Sequence, residues 1–109
     1  MAKYTDALRG YAHDILKRDG FRCRYCGFDG SKWPNWLYMS RDHLLPPGHP
    51  KREDPQFIVA ACRFCNEACN RTPFPVVGKT PEELVLQKKQ AILAKRKEYH
   101  EFFKKEVKL

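Results

Sequence analysis

Two C-x-x-C pairs constrain this chain more than any other feature of its sequence. Cys23 and Cys26 form the first pair, and Cys62 and Cys65 form the second. Two thiolates separated by two residues lie on one side of a tight turn, so two such pairs can bind one tetrahedral zinc ion. The stretch between the pairs is longer than in a compact zinc ribbon, which leaves room for a looped-out strand hairpin. Because a closed site of four thiolates keeps no open coordination position, we expect its zinc to stabilise the fold rather than to react.

The number of cysteines also favours metal over disulfides. The chain has 5 cysteines in 109 residues, and four of them fall in the two pairs. Free buried thiols and a redox pair are the alternatives, but no thioredoxin-like βαβ pattern surrounds either pair. We expect the fifth, Cys69, to be a small buried residue after the second pair, with a role as a replacement ligand as the weaker alternative. A single domain over residues 1–109 buries only about 60–70% of its unfolded surface, so a structural zinc would help to hold it.

Apolar spacing and turn residues predict an α+β fold around these pairs. Residues 5–17 have helical spacing and are followed by Gly20, a typical helix stop. Strands are predicted over residues 36–45 and 57–61, and the second strand leads directly into Cys62. Residues 66–70 look like the first turns of a helix. The core motif is therefore expected over residues 18–70.

The C-terminal part of the chain predicts a long helix. A connector over residues 71–79 contains Pro73, Pro75 and Gly78 and cannot continue the preceding helix. Thr80, with proline next and Glu83 three residues on, forms a capping box, so we expect a helix over residues 80–107. Its many basic residues, Lys88 included, are expected by default to form a solvated face, and the alternative is that they extend a footprint along a nucleic-acid duplex.

The charge balance predicts a polyanionic partner. The chain has 21 Lys and Arg against 13 Asp and Glu, a formal net charge of +8. Nucleic acid is the commonest partner of such a chain. No signal-peptide core opens the sequence, and no stretch approaches the roughly 20 apolar residues of a membrane span. We therefore expect a cytoplasmic protein without a membrane partner.

A candidate reactive site lies between and just after the cysteine pairs. Asp42 and His43 end the first predicted strand, and Asn66 directly follows Cys65. If one zinc gathers both pairs, Asn66 begins a helix close to the hairpin that carries Asp42 and His43. A carboxylate and an amide oxygen suit Mg²⁺, and an imidazole with an ordinary pKa of about 6.5 can act as a base near neutral pH. An Asp-His pair alone is more often an ordinary surface feature, so Asn66 is essential to this hypothesis.

The sequence resembles the HNH endonucleases of the ββα-metal (His-Me finger) fold over about residues 18–70. The matching segments are RCRYCG at residues 22–27, DHLLP at 42–46 and IVAACRFCN at 58–66. The likeness is closest to the subset in which a four-cysteine zinc supports the nuclease motif, as in phage enzymes that resolve branched DNA. The resemblance implies a phosphodiesterase that acts on double-stranded or branched DNA with one Mg²⁺ or Mn²⁺ ion, leaving a 5′-phosphate and a 3′-hydroxyl.

The resemblance also implies roles for individual residues. His43 would be the general base, and Asp42 and Asn66 would hold the catalytic divalent ion. The family's middle asparagine, which steadies the base, would fall near Phe57, where this sequence has Gln56-Phe57. Gln56 could supply the amide, although in a strand it would point to the opposite face.

Neighbouring polar residues are candidates for accessory roles. His49 could contact phosphate or a metal, or be a solvated loop residue. Asn70 shares a helix face with Asn66, or simply ends that helix. Residues expected to contact phosphates, each otherwise an ordinary surface residue, are Arg41, Lys51, Arg52, Arg63 and Arg71.

Two rival functions remain open from the sequence. One is a non-catalytic zinc module that binds nucleic acid and derives from an HNH fold, which predicts salt-sensitive binding without cleavage. The other is a structural zinc protein that docks other proteins through its long helix. Whether the chain acts as a dimer is also open.

Overall fold

The computed structural model describes residues 4–70 and 72–108. Helices surround a two-stranded antiparallel sheet in these residues, so the predicted α+β fold is confirmed. The elements in chain order are a π-helical turn Ala7–Tyr11, helix α1 His13–Arg18, a 3-10 turn Asn35–Tyr38, strand β1 Met39–His43, a 3-10 turn Pro55–Phe57, strand β2 Ile58–Cys62, helix α2 Arg63–Ala68, helix α3 Pro81–Phe102 and a π-helical turn Phe103–Val107.

The hairpin of β1 and β2 positions both parts of the candidate site. Its register pairs Met39 with Cys62 at one end and His43 with Ile58 at the other. At about 3.3 Å per residue, five-residue strands separate these two ends by roughly 13 Å. All five residues of β2 are buried, whereas β1 buries Met39 and Asp42. The cysteines therefore gather at one end of the hairpin, and His43 lies at the other.

The outer edge of β2 is covered by the end of α1. The guanidinium of Arg18 donates hydrogen bonds to the carbonyls of Pro55 and Ile58, at 2.8 and 2.7 Å. The carboxylate of Asp19 accepts one from the backbone nitrogen of Ala60, at 2.9 Å. These bonds satisfy backbone groups that an uncovered edge strand would leave unpaired.

The predicted N-terminal helix is present in two pieces rather than one. A π-helical turn precedes α1, and Ala12 joins them. Gly10, a weak α-helix former, lies at this discontinuity. The predicted stop is confirmed, because Gly20 has a φ of +67° and the nitrogen of Phe21 donates to the carbonyl of Leu16 at 2.7 Å.

Both strands begin later than the sequence pattern predicts; β1 also ends at His43 rather than at residue 45, and β2 continues one residue further, to Cys62. Residues 36–38 belong to the 3-10 turn Asn35–Tyr38, which begins directly after Pro34. Phe57 ends a second 3-10 turn, which Pro55 begins and in which Asp54 accepts a hydrogen bond from the nitrogen of Gln56 at 3.0 Å. Prolines pre-set the backbone for turns at both places and override the strand preference of the residues that follow.

The predicted capping box of α3 is confirmed. The nitrogen of Glu83 donates to Thr80 Oγ1 at 3.2 Å, and the nitrogen of Thr80 donates to Glu83 Oε1 at 3.0 Å. The first half of α3 buries Leu84 and Ile92 against the core, but every residue from 93 to 108 is exposed. The helix therefore extends beyond the core by about half of its length. Within the described residues, no helix is long and apolar enough to cross a membrane.

Candidate functional site

The two cysteine pairs meet in a single cluster. The four Sγ atoms of Cys23, Cys26, Cys62 and Cys65 all lie within 4.8 Å of one another, and those of Cys26 and Cys62 are 3.8 Å apart. A zinc ion bound at about 2.3 Å from each of four sulfurs requires sulfur separations of about 3.8 Å. The donors and their spacing therefore fit a tetrahedral zinc ion, as the sequence predicts.

Backbone bonds bring the first pair to the end of β2. The nitrogen of Gly27 donates to the carbonyl of Cys23 at 3.0 Å, which closes the turn between the two cysteines. Gly27 has a φ of +79°, a conformation that glycine adopts without strain. The nitrogen of Arg24 donates to the carbonyl of Ala60 at 2.9 Å, so the turn is fastened to the strand that ends at Cys62.

The sulfurs interact strongly with one another. Hydrogen bonds from Cys62 and Cys65 lower the pKa of Cys23. Hydrogen bonding to Cys23 raises the pKa of Cys62 to about 11, and hydrogen bonds to Cys23 and Cys62 raise the pKa of Cys65. The cluster therefore keeps protons that a divalent cation must displace when it binds. Cys69 is buried outside this group, as predicted for a small core residue.

A second site is a cleft of about 490 Å³ at the far end of the hairpin. The three predicted catalytic residues, Asp42, His43 and Asn66, all line this cleft. They come from two elements, since the first two end β1 and the third lies on α2. The wall also includes Arg52 and Lys88.

Asp42 is buried and paired with two side chains that the sequence pattern did not assign to it. Its Oδ2 atom accepts hydrogen bonds from the hydroxyl of Tyr25 at 2.5 Å and from Lys88 Nζ at 2.7 Å. The side chains of Asp42 and Lys88 are 6% and 10% exposed. Burial, together with the charge of Asp42, raises the pKa of Tyr25, which therefore stays protonated as a donor. The default reading of Lys88 as part of a solvated face is wrong.

His43 is paired with Glu53, a residue that sequence reasoning missed. Its Nε2 atom lies 2.9 Å from Glu53 Oε2 and 3.2 Å from Oε1. The hydrogen bond with His43 lowers the pKa of Glu53, so the partner is a carboxylate. In the neutral ring, Nε2–H donates a hydrogen bond to this carboxylate, and Nδ1 is then the acceptor. Glu53 lies in the polar loop between the strands, where no periodic pattern could identify it.

Asn66 is held in place through its amide nitrogen. Nδ2 donates to Ser40 Oγ at 2.9 Å and to the carbonyl of Arg41 at 2.8 Å. Both bonds tie α2 to β1 and leave the amide oxygen available to a ligand. Asn70 also lines the cleft, but it lies beyond the end of α2, because this helix spans Arg63–Ala68 rather than the predicted residues 66–70.

The accessory residues are divided between the cleft and other surfaces. Gln56 lies in the 3-10 turn and lines a separate depression with Arg18 and Arg24, and no hydrogen bond among the described residues joins its amide to His43. His49 Nδ1 accepts a hydrogen bond from the nitrogen of Lys51 at 3.1 Å, in the loop after β1.

The predicted phosphate contacts are similarly divided. Arg52 lines the cleft, and its Nε atom is buried without a partner among the described residues. The guanidinium of Arg41 lies over the ring of Tyr11, at 5.5 Å from the centroid. Arg63 is exposed beside the cysteine cluster rather than in the cleft. Arg71 lies outside the described residues.

Comparison with known proteins identifies no relative of this chain. No family model, curated protein or solved structure matches the chain. What the cleft does must therefore be inferred from its own residues and their placement.

Proposed function

We propose that this chain is a metal-dependent HNH endonuclease that hydrolyses phosphodiester bonds in DNA. The main support is the convergence of Asp42, His43 and Asn66 on one cleft. These three residues are the base and the two oxygen donors that the motif resemblance implies. The four-cysteine cluster at the other end of the hairpin would hold the structural zinc.

His43 is suited to the role of general base. Its side chain is 17% exposed, so the ring is largely enclosed yet borders the cleft. Glu53 holds the ring through Nε2, and Nδ1 can then take a proton from water. Glu53 thus performs the orienting role that the sequence leaves vacant near Phe57.

The cleft offers two oxygen atoms of the kind that Mg²⁺ and Mn²⁺ prefer. The hydrogen bonds of these two side chains to other described residues use Oδ2 of Asp42 and Nδ2 of Asn66. Oδ1 of Asp42 and Oδ1 of Asn66 are therefore available to bind an ion. A divalent ion held there would polarise the scissile phosphate and stabilise the leaving oxygen. Lys88 contacts the other oxygen of the same carboxylate, so its ammonium would share Asp42 with the ion or move away from it.

Arg52 gives the cleft a group suited to phosphate. Its buried Nε–H has no acceptor among the described residues, although buried donors normally have one. A phosphate oxygen in the cleft would supply that acceptor through a charge-assisted hydrogen bond. This position makes Arg52 the strongest of the predicted phosphate contacts.

The test is cleavage of supercoiled plasmid DNA by the zinc-loaded chain with Mg²⁺ or Mn²⁺. We expect nicked or linear products, and His43→Ala should lower the rate by about a hundredfold or more. His13→Ala is the matched control, because this exposed histidine of α1 does not line the cleft, and it should cut at the wild-type rate. Equal rates for the two variants would refute the assignment of the base.

One observation favours a second candidate, a non-catalytic zinc module that binds nucleic acid. An ammonium already neutralises Asp42, as expected if the catalytic ion were no longer used. That module would bind DNA in a salt-sensitive way and leave the plasmid intact with every divalent ion tested. The same plasmid assay therefore separates the two candidates.

A further inference from the structure

A groove lined by aromatic and basic side chains lies beside the cysteine cluster. It consists of two adjoining cavities of about 530 and 320 Å³, which share Phe64 and Arg96. Cys26 and Cys62 line the first cavity, so the groove borders the zinc site. We call it the aromatic groove and define it by Tyr38, Arg63, Phe64, Arg96, Tyr99 and Phe103.

The aromatic groove presents large rings that the protein does not bury. Tyr38, Tyr99 and Phe103 are 52%, 56% and 48% exposed. Phe64 and Tyr99 pack edge to face at 5.6 Å between centroids, which fixes both rings at the surface. A contiguous patch of exposed rings marks a binding surface more often than a random feature of a small domain.

The charge of the aromatic groove restricts the kind of partner. Its lining includes Arg63, Arg96 and His100 but no Asp or Glu. Arg96 also lies over the ring of Phe64, at 5.5 Å from the centroid. The partner should therefore combine negative charge with flat apolar faces. A second copy of the chain fits poorly, because it would bring the arginines of both copies together.

We propose that the aromatic groove binds unpaired nucleotides of single-stranded nucleic acid. Bases would stack on Tyr38, Tyr99 and Phe103, while Arg63 and Arg96 would contact the phosphates, which is how sequence-tolerant single-strand sites work. This proposal does not rest on nuclease activity. The groove shares no lining residue with the catalytic cleft, and Phe64 and Asn66 point to different sides of α2.

Fluorescence anisotropy with a labelled oligodeoxythymidine tests the proposal. The oligonucleotide has about 12 nucleotides, a length within the known range of such sites. The zinc-loaded full-length chain is used without Mg²⁺, so cleavage cannot contribute. We expect tighter binding to the single strand than to a duplex of the same length. Phe103→Ala should weaken that binding by about fivefold or more, the usual effect of one stacked base. Arg96→Gln should reduce the slope of log affinity against log salt concentration by about 0.7, the value for one phosphate contact on a single strand.

The adjacent residues on the same helix provide matched controls. Phe102 and Lys97 are exposed and do not line the aromatic groove. Phe102→Ala and Lys97→Gln should therefore leave affinity and salt slope close to wild type, and all four variants should keep one zinc per chain. Equal effects of groove and control variants, or equal affinity for duplex and single strand, would overturn the proposal. So would a dimer, seen by analytical ultracentrifugation, that Phe103→Ala dissociates.

Discussion

Replacing Lys88 by methionine tests the buried ion pair between Lys88 and Asp42. Lys88 Nζ lies 2.7 Å from Asp42 Oδ2, and both side chains are almost fully buried. Methionine keeps an apolar stem of similar length but removes the positive charge. The variant therefore leaves a buried carboxylate with Tyr25 as its remaining hydrogen-bond donor among the described residues.

The magnitude follows from the burial of the pair. Removing one partner of a buried ion pair costs about 3–5 kcal/mol, because the other charge stays away from water without compensation. Domains of this kind have a free energy of unfolding of about 5–15 kcal/mol, so the loss is a large fraction of the total. At about 4 °C or more per kcal/mol, the melting temperature should fall by about 12 °C or more.

Urea denaturation at saturating zinc measures the effect, and two further variants make it specific. Lys97→Met, an exposed lysine of the same helix, should change the free energy of unfolding by less than about 0.5 kcal/mol. Asp42→Asn combined with Lys88→Met removes both charges and should be more stable than the sum of the single effects by about 1–3 kcal/mol. If Lys88→Met is as stable as Lys97→Met, the ammonium of Lys88 does not stabilise the buried carboxylate of Asp42, and the proposed ion pair is wrong.

Three other changes test separate parts of the structure. Cys65→Ser should lower the zinc content found by metal analysis and destabilise the fold. The zinc affinity of the wild-type chain should rise with pH, because hydrogen bonding raises the pKa of Cys62 to about 11 and zinc must displace the proton that this thiol keeps. Glu53→Gln should lower the rate of plasmid cleavage by about tenfold to a hundredfold, the range known for partners that orient metal-bound histidines, while the melting temperature stays near wild type. Gly30→Ala should lower the free energy of unfolding by about 1–3 kcal/mol in thermal unfolding. A Cβ atom at this position would overlap Met39 Cγ and lie 2.9 Å from the carbonyl oxygen of Phe21. Stability equal to wild type would contradict that packing.

Local chemistry made several features predictable from sequence. The capping box at Thr80, the stop at Gly20 and the cysteine cluster each depend on residues whose spacing along the chain already specifies their geometry. The hairpin could be predicted from the two cysteine pairs, because the chain between them must fold back on itself for both pairs to reach one tetrahedral site.

The partners of the proposed catalytic residues were not predictable in the same way. Lys88 reaches Asp42 from a helix far along the chain, and lysines on amphipathic helices are normally exposed. Glu53 approaches His43 because the loop after β1 folds back, and its sequence position shows no periodicity. Both contacts depend on how segments pack in three dimensions, which composition and spacing do not specify.

The most direct test of the proposed catalytic site is anomalous diffraction from zinc-loaded crystals soaked in Mn²⁺. We expect a zinc peak among the four sulfurs and a separate manganese peak between Asp42 and Asn66, which Asp42→Asn should abolish. Zinc at the sulfurs with no manganese in the cleft, and with Lys88 still bound to Asp42, would contradict the endonuclease proposal and favour the non-catalytic module.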